Sequence, residues 1–136
     1  MQPDHQVPEA QLEARRWLAT AEEDLLGATA MLERDDVAPR LACFLAQQAA
    51  EKALKARLIG RGIAFPRIHD LLALRALLRS DMPAGLDDAD LAELSAWAVE
   101  ARYPGDLPDA TAADACTAVA GARAILVVAR GDLAGA

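Results

Sequence analysis

Residues 39–60, PRLACFLAQQAAEKALKARLIG, constrain the fold more than any other stretch of the chain. Read as a helix, the run is apolar on more than one face. Leu41, Phe44, Leu45, Ala49 and Ala53 mark one side, and Cys43, Ala46, Ala50, Leu54 and Leu58 mark another. A surface helix needs a single apolar stripe, so a helix this broadly apolar is predicted to be central. Alanine and leucine dominate the chain, β-branched residues are few and only 4% of residues are aromatic, which argues against a sheet. Gly60 supplies the stop, because glycine tolerates a left-handed cap.

The flanking sequence supplies partners for this helix. Leu18, Ala21, Leu25, Ala28 and Leu32 step by three and four, giving one apolar stripe on a first helix over 8–34. Arg15, Arg16, Glu22, Glu23 and Arg34 fall on its other face, and Pro8 with Glu9 and Glu13 suits its first turn. Gly27 costs this helix about 1 kcal/mol against alanine unless it permits a close crossing. Asp35, Asp36 and Pro39 make the turn. Leu71, Leu72, Leu74, Ala76, Leu77 and Leu78 predict a short third helix over 69–79, broken by Pro83 and Gly85. Asp87 or Asp88 caps a fourth over 88–102, striped by Leu91, Leu94, Ala98 and Ala101. Pro104, Gly105 and Pro108 force an irregular connection, and Asp109 caps a fifth over 109–131. Its stripe is Ala112, Cys116, Val119, Ala122 or Arg123, Leu126 and Ala129. The prediction is an all-α fold, an antiparallel up-and-down helical bundle of four long helices plus one short helix. One domain spans 8–131, with flexible tails at 1–7 and 132–136, as suits a chain of 136 residues.

Several function classes lose support. No run approaches the roughly 20 apolar residues that span a bilayer, and MQPDHQVPEAQLEARRW lacks the apolar core of a signal peptide. A cytoplasmic protein with no membrane partner is expected. Cys43 and Cys116 lie in apolar helical patterns without paired spacing, so they read as small buried hydrophobes. There is no H-E-x-x-H or C-x-x-C, and the second histidine, His5, lies in the N-terminal tail. Metal catalysis therefore has no ligand set, and no cofactor is implied. Ser80 and Ser95 have no nucleophile context.

Charge supplies the functional clue. Residues 39–70 carry Arg40, Lys52, Lys55, Arg57, Arg61 and Arg67 against Glu51 and Asp70, a balance of +4 within a chain of −7. Overall acidity speaks against wrapping nucleic acid over the whole surface. A local positive segment is the signature of a surface that meets an anion. His69 and Asp70 lie just past Pro66 and read as an anion-contacting or hydrogen-bonding pair beside Lys52, Lys55 and Arg67. Asp70 also suits plain helix capping. Lys52 and Lys55 either bind phosphate or form a solvated face, with Lys55 and Glu51 an exposed pair worth a few tenths of a kcal/mol. Gln47 and Gln48 need hydrogen-bond partners if they are buried. Gly60-Arg61-Gly62 reads as a helix end, not a phosphate loop. Trp17 and Trp97 read as core or interface residues. Arg102 suits a helix C-terminus, and Tyr103 beside it offers a stacking face for a base.

Four motifs occur in order: W-L-x-x-A-x-x-D-L at Trp17 to Leu25, F-x-x-Q-x-A-x-E-K-x-L-K at Phe44 to Lys55, P-x-x-H-D-L at Pro66 to Leu71, and R-Y-P at Arg102 to Pro104. Together they resemble the HEPN domain, from about residue 12 to 130. The resemblance implies a helical bundle, commonly a homodimer, that binds nucleotides or RNA. It also implies a small nucleotidyltransferase partner, in several cases as a toxin–antitoxin pair whose HEPN member is a metal-independent ribonuclease. Catalytic members carry an Arg, four to six residues, then a His. After Arg102 those positions are Leu107, Pro108 and Asp109, so the motif is incomplete and no general base is evident. Arg102 and His69 are the remaining catalytic candidates. The nucleotide- or anion-binding candidates are Lys52, Lys55, Arg67, His69, Asp70, Arg102 and Tyr103. The alternatives are an endoribonuclease toxin and a ligand-free dimeric interaction module.

Overall fold

Residues 8–79, 86–98 and 104–134 are described by the computed structural model. The order is α1 (Glu9–Leu32), α2 (Pro39–Gly60), α3 (Leu71–Leu78), α4 (Asp88–Ser95), a 3-10 turn at Pro104–Asp106, and α5 (Ala112–Ala134). Among the described residues there is no strand. The fold is the all-helical bundle expected, and α2 is its centre, burying thirteen of its 22 residues. Leu41 and Phe44 are the exceptions, at 38% and 41% exposure.

α1 and α2 run antiparallel, tied at one end by Gln11 Nε2 donating to the Gly60 carbonyl (2.8 Å). Midway, Lys52 Nζ meets Asp24 Oδ2 at 2.6 Å. Between the helices Gly27 permits a close approach: a Cβ there would sit 3.2 Å from Leu45 Cδ1. The helical cost of this glycine is therefore offset by packing. α5 runs antiparallel to α1, held by Arg130 to Glu22 and by Arg123 Nη2 to Thr29 Oγ1 at 3.1 Å. It meets α2 through Asp132, which accepts from both Arg57 and Arg61.

Helix ends follow local hydrogen-bond chemistry. Pro39 opens α2 at a position where a missing N–H costs nothing. Asp70 caps α3 by accepting from Leu72 N, and Arg79, in the left-handed region at φ 51°, ends it. Asp87 and Asp90 form a reciprocal capping box on α4. The α4 helix ends at Ser95, short of the expected 102, and residues 99–102 lie outside the described residues. Asp109 is not the cap of α5. Thr111 Oγ1 accepts from Asp114 N and the Asp114 carboxylate accepts from Thr111 N, so the helix starts at Ala112.

The α5 stripe also differs by one position at its start. Ala115, Ala118, Val119, Ala122, Ile125, Leu126, Ala129 and Leu133 are buried. Ala112 and Cys116 face outward, so Cys116 is not a core residue, whereas Cys43 is. Nor does the helix stop near Gly131. It continues to Ala134 because Leu133 is buried and Asp132 is held by two arginines. By length and mean hydropathy (1.6) α5 is apolar enough to cross a membrane. In this bundle its apolar side packs against α1, α2 and α4.

Candidate functional site

Gln47, Glu51 and Lys55 are spaced by four and share one face of α2. The segment 61–70 folds back over this face and buries all three. A carboxylate so placed must be hydrogen-bonded. Glu51 Oε2 accepts from Lys55 Nζ at 3.0 Å, and Oε1 accepts from Gln47 Nε2 at 3.2 Å. His69 Nδ1 lies 2.9 Å from Oε1. Burial pushes the Glu51 pKa up, but the bonds from Lys55, Gln47 and His69 outweigh it and hold the group below the usual carboxylate range. An ionised carboxylate only accepts, so the His69 proton sits on Nδ1.

Gln47 also donates to the His69 carbonyl at 3.1 Å and accepts from Gln48 Nε2 at 2.7 Å. The histidine is thus fixed through both backbone and ring, while 61% of its side chain stays exposed. Nε2 has no protein partner among the described residues. The arrangement is an oriented imidazole with its outer nitrogen open to a ligand.

Lys55 is not the exposed residue its spacing suggested. Its ammonium lies 5.9 Å from the Trp17 ring centroid and 5.7 Å from that of Phe65. Two aromatic rings cover the pair with Glu51, and that pair is buried.

The positive segment is partly answered from elsewhere in the chain. Asp24 of α1 takes Lys52, and Asp132 of α5 takes Arg57 and Arg61. Against the balance of +4 within 39–70, these two carboxylates leave +2. Burial raises and the two arginines lower the Asp132 pKa, with a net fall. Arg67 is exposed and has no carboxylate partner among the described residues. Asp70 is occupied as the α3 cap, and Leu71 N beside it donates to Ser95 Oγ at 3.0 Å.

The structure therefore brings His69 onto Lys55 through Glu51 and leaves Arg67 two residues away on the same segment. Lys52 lies one helical position beyond Glu51, on the side facing α1. Arg102 and Tyr103 lie outside the described residues. Among the described residues, no three His, Cys, Asp or Glu side chains come together as metal ligands.

A feature missed from sequence lies next to Lys52. Glu13, Arg16, Trp17 and Thr20 of α1 and Lys52 of α2 line a groove of about 310 Å³. Trp17 Nε1 donates to Glu13 Oε1 at 3.1 Å, which pins the indole on its own helix. The signal was the i, i+3, i+4, i+7 spacing of residues 13, 16, 17 and 20, a polar and aromatic stripe beside the apolar one.

The chain matches the HEPN domain over residues 14–131. Among solved structures it is similar to TT1696 from Thermus thermophilus, at 32% identity and a TM-score of 0.66, covering 88% of this chain and 97% of that one. It is also similar to ST0689, an archaeal HEPN homologue, at 29% identity and a TM-score of 0.69, with the same coverage of each. No curated protein matches. The match spans most of the chain, and the chain belongs to the HEPN domain family.

Proposed function

We propose that this HEPN domain binds a phosphate-bearing nucleotide or RNA where His69 and Arg67 meet the exposed edge of α2, with Lys52 nearby. The observation that carries the reading is the His69 imidazole, held through Nδ1 on buried Glu51 with Nε2 unpartnered among the described residues. In its protonated form Nε2 donates to a phosphate oxygen, a charge-assisted bond. Arg67 adds a guanidinium that no protein carboxylate engages among the described residues. Lys55 sets the field from behind Glu51 without reaching the ligand.

Binding should be measured by titrating nucleotides and short single-stranded RNA at several salt concentrations. With three phosphates neutralised, log affinity falls with log salt at a slope of about −2. His69→Ala and Arg67→Ala should each weaken binding severalfold. Arg67→Ala should leave the melting temperature unchanged, whereas His69→Ala also removes a bond to buried Glu51 and should lower it. Failure of every nucleotide and RNA to bind rejects the reading.

The protein is further read as a cytoplasmic homodimer acting beside a nucleotidyltransferase, as in toxin–antitoxin pairs. Leu26 and Val127, 71% and 56% exposed, support the dimer. They sit on α1 and α5 between the Arg130–Glu22 and Arg123–Thr29 contacts. Sedimentation as a monomer at tens of micromolar would count against it. Co-purification with the nucleotidyltransferase tests the partnership. Ribonuclease activity is not expected, since Leu107, Pro108 and Asp109 stand where the histidine after Arg102 belongs.

A further inference from the structure

We propose that the groove beside Trp17 is the base-binding half of this site, stacking a nucleobase on the indole while the phosphate meets His69 and Arg67. The inference rests on the phosphate reading above and extends it to a second, chemically different pocket.

Charge divides the surface into two halves. In the groove, Arg16 is met by Glu13 (2.7 Å) and Lys52 by Asp24 (2.6 Å). Its cations are neutralised by the protein itself, so the groove has little net attraction for a dianion. It suits an uncharged ring with a polar edge. At the other half, Arg67 and the outer nitrogen of His69 have no protein partner among the described residues. That half suits the phosphate.

Two buried residues of one α2 face link the two halves: Lys55 Nζ lies 5.9 Å from the Trp17 ring centroid and bonds Glu51, and Glu51 meets His69. Lys55 approaches the indole from the protein side, and the same ring lines the groove. Glu13 fixes the ring through Nε1, so little ordering is left to be done on binding. The groove, about 310 Å³, lies within the range of small-molecule sites. Its rim offers a carboxylate oxygen of Glu13 and the Thr20 hydroxyl as acceptors, with Arg16 and Lys52 as donors. Such mixed edges match the mixed edges of nucleobases.

The test compares the four ribonucleoside 5′-monophosphates with ribose 5-phosphate by calorimetry, and follows fluorescence in a Trp97→Phe protein whose single tryptophan is Trp17. At least one nucleotide should bind about tenfold more tightly than ribose 5-phosphate, a gain of the size stacking gives. It should also quench Trp17, which ribose 5-phosphate should not. Trp17→Leu should remove the gain and leave ribose 5-phosphate within twofold. Trp17 also packs against the base of the bundle, so Trp17→Phe is the second variant, expected to fold and keep part of the gain. Equal binding of nucleotides and ribose 5-phosphate overturns the base subsite and leaves the phosphate reading standing. A gain that survives in both variants overturns it too. No binding by any of these compounds overturns both.

Discussion

Lys55 Nζ lies 3.0 Å from Glu51 Oε2, and each side chain is less than a tenth exposed. A pair this deep is strongly asymmetric in what its loss does. Removing one partner strands the other charge out of water, at about 3–5 kcal/mol, whereas replacing both by apolar groups is often neutral. Glu51→Ala should therefore lower unfolding stability by about that amount. Adding Lys55→Met to Glu51→Ala should recover much of it, as read by urea denaturation. Equal losses in the single and double variants would show that the charge is not stranded.

Acid should unfold the protein by way of three carboxylates. Glu51 and Asp132 have lowered pKa values despite burial, for the reasons given above, and Glu22 is lowered chiefly by its bond from Arg130. A carboxyl whose folded pKa lies below its unfolded value contributes fully above the unfolded one, about 4. That contribution fades as pH falls through the folded value. The urea midpoint should hold steady from pH 7 to about 5 and drop below about 4. Asp132→Asn should flatten part of that drop.

Only one of the two cysteines should react in the native protein. Cys43 is buried, and burial, with Asp114 and Glu93 nearby, pushes its thiol up to about 11. Cys116 is exposed. An aromatic disulfide reagent at pH 8 should label one thiol rapidly and the second only on unfolding. Cys116→Ser should remove the fast phase, and a fast phase that persists would contradict the packing around Cys43.

Two glycines should respond differently to alanine. A Cβ at Gly60 would lie 3.0 Å from Leu133 Cδ2, so Gly60→Ala needs that side chain to give by a few tenths of an ångström and should fall short of the gain at Gly131. Nothing lies within 4 Å of a Cβ at Gly131 in α5, so Gly131→Ala should stabilise by about 0.5–1 kcal/mol. Thermal melts of the two variants check the contrast.

What could be read from the chain divides by range. α2 runs over 39–60 as expected, because Pro39 is a local signal that acts on its own helix. Gly60 is not the left-handed cap: it is the last helical residue, and the glycine with positive φ (69°) is Gly62. The α5 start was displaced because Asp109 and Thr111 are both good caps. Only Thr111 has a reciprocal partner, Asp114, three residues on. The i, i+4 spacing of Glu51 and Lys55 revealed their pairing but not their burial, which depends on Trp17 and Phe65 arriving from other segments. Likewise, the answer to the positive segment came from Asp24 and Asp132, which are 28 and 75 residues from the cations they meet. Among the site candidates, His69 was legible from its motif, while its tether to Glu51 belongs to the way 61–70 folds back.

The buried row of Gln47, Glu51 and Lys55 makes one helix answer to two demands at once. These side chains hold the bundle together and also aim the imidazole outward. A change at any of them is judged first by folding, so the row can drift little even if the ligand changes. Arg67 and His69 stand at the open end of that row with far less of the core resting on them. Retuning of ligand preference within this architecture therefore has its freedom in the short segment after α2, over a scaffold that stays fixed.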